Sequence, residues 1–508
     1  MMSLLVRELK LPRGGTDSKR DATPTPDMIG AVPPSSPGAL PALARFVLRV
    51  FFRRVEVVGE ERLPTAVGTA SGRRPLVLVA NHVNGLVDPV LVLGALPVRP
   101  RFLAKSTLWK IPILAQLLTA ARAIPVHRRQ DAPSAAGGAA AGAAPGALAS
   151  NDETFARCHE ALAQGGAIAL FPEGTSHNEP ALQPLKTGAA RIVLEAEARL
   201  GPLGTRIVPV GLTFDERGRF RSRALVRVGE PIDPAPEIAI YKEDPIAAGR
   251  ALTARIDRAL HQVTLNYTSW DEARLIARAA DLFARPGLLL PHGRTLAATF
   301  DLHRAFLEGY GEMKARCPEE VAAAAQAVQA YDRLLTAFHL RDDQVAAAYP
   351  VSPVARFVGR TLFRLLIYLP VAIVGTILNL LPYQIVRAIA GRSKDGDQKA
   401  TLKVFPALAI YPVSWLAEAF AVGHGWGGKA GILTFLLCLP TGYVAMLFDE
   451  RRERFLREAR AYLVLRTRVR ATAELREKRE AVYRGVTGLV EAYQRREGVP
   501  GSGSNASL

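Results

Sequence analysis

Residues 81–89 read NHVNGLVDP, directly behind the apolar run LVLVA. His82 and Asp88 stand six positions apart, and that spacing suits two arrangements. In one, Asp88 caps the following helix, Pro89 takes its first turn and His82 is an ordinary loop residue. In the other, His82 is a general base and Asp88 the carboxylate that orients its imidazole. On one regular helix, residues six apart point about 120° from each other. The pair therefore meets only through an irregular loop, which Asn84 and Gly85 permit. A second polar group, FPEGTS at 171–176, follows the run AIAL and offers Glu173, Gly174 and the hydroxyls of Thr175 and Ser176. Alone it reads as a solvated turn. Open α/β sheets, however, place functional groups at strand ends, so the two motifs can share a crevice. Lys105, Arg128, Arg129, Lys186 and Arg191 supply cations around them that together suit a phosphate.

The elements that must position these groups are legible as alternation. Apolar runs at 76–80, 101–105, 123–126, 167–171, 206–212 and 224–229 are of strand length, and helix-length segments separate them. This pattern predicts an α/β fold, a mixed sheet flanked by helices, over residues 61–235. Residues 131–150, rich in Ala and Gly, read as a flexible insertion within it. Residues 1–38 and 496–508 read as a disordered leader and tail. Residues 39–60 read as a helix that either lies on a membrane surface, with Arg53 and Arg54 at the headgroups, or packs on the domain core. Residues 236–355 form a helical region.

A different solvent is indicated further on. The apolar segments 362–381, 404–422 and 430–448 lie in a membrane-embedded region, 356–449, and each is about as long as a bilayer crossing requires. Basic residues after the first and third segments place 404–448 as a hairpin with both ends cytoplasmic. The first segment is then expected to re-enter or lie in the interface, turning near Asn379–Pro382, if the catalytic region is cytoplasmic too. Residues 450–495 read as one basic amphipathic helix, with Leu475, Val482 and Leu489 in heptad register, suited to a partner or to headgroups.

Composition sets outer limits. A net charge of +18 over 508 residues favours anionic partners, such as a phosphate-bearing substrate or an acidic membrane. Nucleic acid is not expected, because the arginines gather beside apolar segments and no nucleic-acid module is present. Three scattered cysteines fit neither a disulfide framework nor a zinc site. His127, His159 and His177 show no HExxH-like grouping, so no metal is expected. There is no GxSxG motif for a serine nucleophile.

His82…Asp88, AIPVHR ending at Arg128, FPEGTS and IVPVGL occur in the order and spacing of the glycerolipid acyltransferase family, which this chain resembles. Five residues separate His82 from Asp88 where the family usually has four. With the N-x-x-V-D-P pattern, this resembles the branch of fungal glycerol 3-phosphate/dihydroxyacetone phosphate acyltransferases. Segments 263–283, 303–310, 331–345 and 395–404 extend that likeness. The resemblance implies transfer of a fatty acyl group from acyl-CoA or acyl-carrier protein to glycerol 3-phosphate. Lysophosphatidate is the alternative acceptor, and a catalytically inactive membrane scaffold the non-enzymatic alternative. His82 would be the base and Asp88 its orienter, with no acyl-enzyme and no cofactor beyond the acyl donor. Glu173 and Gly174 would bind the acceptor, Arg128 its phosphate, and Pro209 would lie on the acyl-donor side. The expected location is the cytoplasmic face of a membrane, the inner membrane if the source is bacterial, among membrane lipids and anchored by the C-terminal segments.

Overall fold

The computed structural model describes residues 38–63, 74–126, 145–283, 295–346, 351–392 and 399–496. Two compact units emerge, one made of the described residues up to 266 together with 389–405, the other of 267–388 with 406–496.

The first unit opens with helix α1 (Ala39–Phe51), whose buried side chains Ala44, Val47, Leu48 and Phe51 recur at helical spacing. Leu48 packs against the bare backbone of Gly94. α1 is thus a packing helix, while Leu43 and Phe46 stay exposed on its other side. The expected single helix over 39–60 is corrected here. From Phe52 the chain is a strand, β1 (Phe52–Val58), because FRRVEVV sets β-branched valines in extended backbone against a later partner.

The remaining strands are β2 (Leu76–Ala80), β3 (Pro100–Lys105), β4 (Ile124–Val126), β5 (Ala167–Leu170), β6 (Arg206–Phe214) and β7 (Ser222–Val228). They form one sheet in the order β1-β7-β6-β2-β5-β3-β4, parallel throughout except for the β6/β7 pair. A mixed sheet is therefore observed, and each of the six expected runs contains a strand. Every residue of β2 is buried, as befits a parallel strand covered on both faces.

Between the strands run α2 (Val87–Ala95), α3 (Pro112–Ala120), α4 (Pro145–Ala163) and α5 (Gly188–Leu200), followed by α6 (Ala235–Tyr241) and α7 (Pro245–Val263). Val77 and Val79 of β2 share a core with Ile192 and Leu194 of α5 and with Leu252, Ile256 and Leu260 of α7. Two expected boundaries move accordingly. The domain extends past 235, since α7 covers the sheet and loses its apolar face without it. Residues 145–150 belong to α4 rather than to an insertion, whereas 131–144 lie outside the described residues, as do 1–37 and 497–508.

The second unit is helical: α8 (Trp270–Phe283), α9 (Leu296–Arg316), α10 (Pro318–Phe338), α11 (Asp342–Ala346), α12 (Val351–Gly391), α13 (Lys399–Trp426), α14 (Gly428–Thr467) and α15 (Val469–Arg496). The described residues of 389–405, at the end of α12 and the start of α13, belong to the first unit. Helices within Arg356–Gly391, Thr401–Trp426 and Gly428–Thr467 are long and apolar enough to cross a membrane, and they contain the three expected segments. α12 runs unbroken through Asn379–Pro382, which corrects the expected turn. Asn379 is instead spent on packing: Nδ2 donates to Gly375 O one turn back at 2.8 Å and to Cys438 O of α14 at 3.1 Å, and Oδ1 accepts Trp415 Nε1 of α13 at 3.0 Å. Proline inside a helix bends it without ending it when neighbouring helices supply such partners.

The basic stretch after 450 is likewise not one helix. The third apolar segment continues as α14 to Thr467, and the helix breaks at Arg468 before α15. Leu475 and Val482 of α15 are buried against Leu282, Tyr331 and Leu335 of α8 and α10, so this chain itself supplies the partner for the heptad face. Asp342 locks the bundle by accepting the Tyr331 hydroxyl at 2.9 Å and Arg479 Nε at 2.9 Å.

Candidate active site

The parallel strands β2, β5, β3 and β4 end on one edge of the sheet, and the expected site residues follow those ends. In register, Val79 faces Leu170 and Pro209, Phe102 faces Ala169, and Lys105 faces Val126. His82 lies two residues past β2, Glu173 three past β5, and Lys105 closes β3. Arg128, expected just past β4, lies outside the described residues, as does Arg129.

His82 and Asp88 do meet. His82 Nδ1 and Asp88 Oδ2 are 2.9 Å apart, and the Asp88 side chain is fully buried. The same oxygen accepts the amides of Val83 and Asn84 at 2.9 and 2.8 Å, which folds the loop around the carboxylate. Gly85 makes the bend with a left-handed φ of 52°. Asp88 sits inside the first turn of α2 rather than capping it, for Leu86 is the N-cap and no side chain caps the helix. With three donors converging on Oδ2, Nδ1 carries the imidazole proton and Nε2 is left as an acceptor. Nε2 has no protein partner among the described residues. The imidazole lies flat on the Phe171 ring, 4.1 Å between centroids and 13° between planes, which fixes its orientation.

FPEGTS clamps this arrangement from β5. Glu173 Oε1 accepts the His82 amide at 2.7 Å, and Oε2 accepts the Gln183 amide at 2.7 Å as well as His177 Nε2. The Glu179 amide donates to His177 Nδ1 at 3.2 Å, so His177 is the Nε2–H tautomer. The His177 amide returns to His82 O at 3.2 Å. Glu173, expected to touch the acceptor, is buried with its carboxylate given to three protein donors. Gly174 has a φ of +80°, and the Lys186 side chain crosses the space its Cβ would fill. Gly174 and Lys186 are therefore adjacent, with Thr175 exposed beside them. Arg191 is drawn off by Glu195 at 3.3 Å and by the Phe155 ring. Pro209 is buried within β6, its ring packed towards Gly229 and its carbonyl accepting the Gly229 amide at 2.8 Å.

Several supporting contacts escape the sequence reading. Asn81 extends the β2/β6 pairing with its side chain: Nδ2 donates to Leu212 O at 3.0 Å and Oδ1 accepts Leu212 N at 2.7 Å. Asn84 Nδ2 reaches Arg217 O at 3.3 Å. Only the polarity of NHVN and of SHN signals them, and their partners are backbone groups far away in the chain.

Residues 54–213 match the Acyltransferase family model, and residues 275–495 match that of the glycerol-3-phosphate acyltransferase 2 C-terminal domain. The chain is similar to glycerol-3-phosphate O-acyltransferase 2 of Saccharomyces cerevisiae, 30% identical over 284 residues, or 52% of this chain and 37% of that protein. Glycerol-3-phosphate O-acyltransferase 1 of the same yeast is 28% identical over 38% of this chain and 25% of its own length. The 1-acyl-sn-glycerol-3-phosphate acyltransferase of Bacillus subtilis is 27% identical over 40% of this chain and 86% of its own. The chain thus spans well under half the length of either yeast protein. Among solved structures, the 1-acyl-sn-glycerophosphate acyltransferase PlsC of Thermotoga maritima overlaps 44% of this chain and 77% of its own with a TM-score of 0.31 at 20% identity. The resemblance carried by the motifs, to glycerolipid acyltransferases and to their fungal branch, is borne out by the two family models and the yeast relatives.

Proposed function

We propose that this chain is a membrane-associated glycerolipid acyltransferase that moves a fatty acyl group from a thioester, acyl-CoA or acyl-carrier protein, to a hydroxyl of glycerol 3-phosphate. The observation that carries the reading is the His82–Asp88 pair, 2.9 Å apart, with Nε2 open at the sheet edge. An alcohol attacks a thioester slowly until its proton is removed in the transition state. His82 Nε2 takes that proton while the glycerol oxygen bonds to the thioester carbonyl carbon. Asp88 Oδ2 stabilises the imidazolium through Nδ1–H. The tetrahedral adduct collapses, the carbon–sulfur bond breaks, and the thiolate takes the proton back from Nε2. Ester and thiol leave, and no acyl-enzyme forms.

Lys186 over Gly174, together with Lys105, Thr175 and Arg128, would receive the phosphate. Glu173 is assigned to positioning His82 instead of touching the acceptor, and Pro209 to the donor side by fixing the strand beside Val79. Glycerol 3-phosphate is favoured as acceptor because residues 275–495 match the C-terminal domain model of such enzymes. The Bacillus subtilis relative supports the alternative, lysophosphatidate. The reading puts the site at the cytoplasmic face, supported by the basic residues that follow the first and third apolar segments.

Full-length protein in lipid vesicles, given labelled acyl-CoA and each acceptor in parallel, should form lysophosphatidate from glycerol 3-phosphate, read by mass. Phosphatidate formation without lysophosphatidate formation would overturn the favoured acceptor. Wild-type turnover by His82→Ala would overturn the general-base assignment, and no turnover with any acceptor would favour the scaffold.

A further inference from the structure

The start of the second apolar helix packs on the catalytic loop. The described residues of 389–405 group with the unit that holds His82. Near the start of α13, Thr401 Oγ1 accepts the Leu86 amide at 3.0 Å, and Lys403 Nζ donates to Gly218 O at 2.6 Å. Leu86 is the N-cap of α2, whose first turn carries Asp88. The amides of Val87 and Asp88 find Asn84 O and Gly85 O. The Leu86 amide precedes the helical ladder and has no partner within α2, which is the usual fate of an N-terminal helix donor. Gly218 adjoins Arg217, whose carbonyl accepts Asn84 Nδ2 and whose guanidinium donates to Asn178 Oδ1 at 3.2 Å, just past FPEGTSH. Thr401 and Lys403 therefore hold the loop between His82 and Asp88 at Leu86 and, through the 217–218 turn, at Asn84.

We propose that Thr401 is a positioning residue for the His82–Asp88 pair, and that acyl transfer requires the first turn of α13, where the chain enters its second apolar stretch, to be seated on the catalytic loop. The inference rests on the general-base reading above. The physical reason is local. Four residues of irregular backbone, Val83 to Leu86, separate His82 from the helix that carries its carboxylate, and a loop of that kind holds a hydrogen-bonding geometry only where its own amides are anchored. Leu86 is two residues from Asp88, and its anchor comes from a residue 315 positions away, beyond the end of the Acyltransferase match at residue 213. The catalytic geometry of this chain is thus completed from its membrane-helix region.

The test uses the full-length protein in vesicles, with Thr401→Val, Thr401→Ser and His82→Ala assayed side by side. Thr401→Val keeps the side-chain shape and removes the acceptor oxygen. It should lower kcat about tenfold, the effect of one lost anchoring hydrogen bond and a displaced reacting group, with acceptor KM within about twofold. Hydrogen exchange at the Leu86 amide should quicken in the same variant. Thr401→Ser, which restores the oxygen, should recover kcat to within about twofold and slow that exchange again. Wild-type kcat in Thr401→Val, a loss confined to KM, or a Thr401→Ser variant as slow as Thr401→Val would each overturn the proposal. If His82→Ala is inactive while Thr401→Val is normal, only the role of Thr401 fails. If His82→Ala turns over normally, the general-base reading fails.

Discussion

His82 donates its backbone amide to Glu173 Oε1 at 2.7 Å, and His177, directly after the second motif, donates its own amide back to the His82 carbonyl at 3.2 Å. The two motifs, 91 residues apart in the chain, are therefore each other's scaffold. FPEGTS fixes the backbone from which the reactive ring projects.

Glu173→Gln should show this. A glutamine offers one acceptor oxygen where the carboxylate serves three donors on two, so either the His82 amide or the His177 and Gln183 pair loses its partner. The expected outcome is a fall in kcat of about 10–100-fold with acceptor KM little changed, as for a misplaced reacting group. Initial-rate kinetics check it, and a change confined to acceptor KM would return Glu173 to acceptor binding.

Asp88→Asn tests the relay itself. The amide oxygen can take the place of Oδ2 and still accept from Val83, Asn84 and His82 Nδ1, but it carries no negative charge to stabilise the imidazolium that forms when His82 takes the proton. A loss in kcat on the order of 10³–10⁴-fold is expected, with circular dichroism unchanged, in line with the equivalent change in serine-protease triads.

Gly174→Ala separates binding from chemistry. At φ +80° an alanine is strained by about 1–2 kcal/mol, and its methyl group occupies the place of the Lys186 ammonium. Acceptor KM should rise about tenfold while kcat holds. An equal rise in donor KM would move Lys186 out of the phosphate site.

The helical bundle carries a pH signature. Burial, then the Asp342 carboxylate that accepts its hydrogen bond, pushes the Tyr331 hydroxyl far up, and burial, then Glu272, pushes Tyr267 up to about 12. Both folded values exceed the unfolded value of about 10, so the folded chain retains these protons longer. Their stabilisation is whole below about pH 10 and is lost as pH rises beyond it. Thermal unfolding should therefore fall in midpoint on the alkaline side. Tyr331→Phe should cost about 1 kcal/mol at neutral pH and flatten that alkaline fall.

Much of the sheet is legible because its strands are nearly continuous apolar runs, the mark of strands buried on both faces. β1 is not, for Arg53, Arg54 and Glu56 interrupt it and its partner β7 lies some 170 residues on, beyond the reach of local pattern. The same limit explains the site. His82, Asp88 and Gly174 announce themselves by type and spacing. The inward turn of Glu173, the clamp by Asn81 and the anchor at Thr401 depend on backbone amides, and every residue but proline has one. The continuity of α12 past Pro382 likewise goes with tertiary partners, those of Asn379, which override local preference.

In α14 the apolar stretch and the arginine-rich stretch belong to one unbroken helix of 40 residues, a rod of about 60 Å at 1.5 Å per residue. Gly431 and Thr441 seat its first half against Ala419 and Gly375, while Ala461, near the other end, is buried in the bundle core with Tyr331 and Leu475. A rod clamped at both ends has no independent halves: the axial position and azimuth of the apolar portion also set the position of Ala461, as one mechanical coordinate.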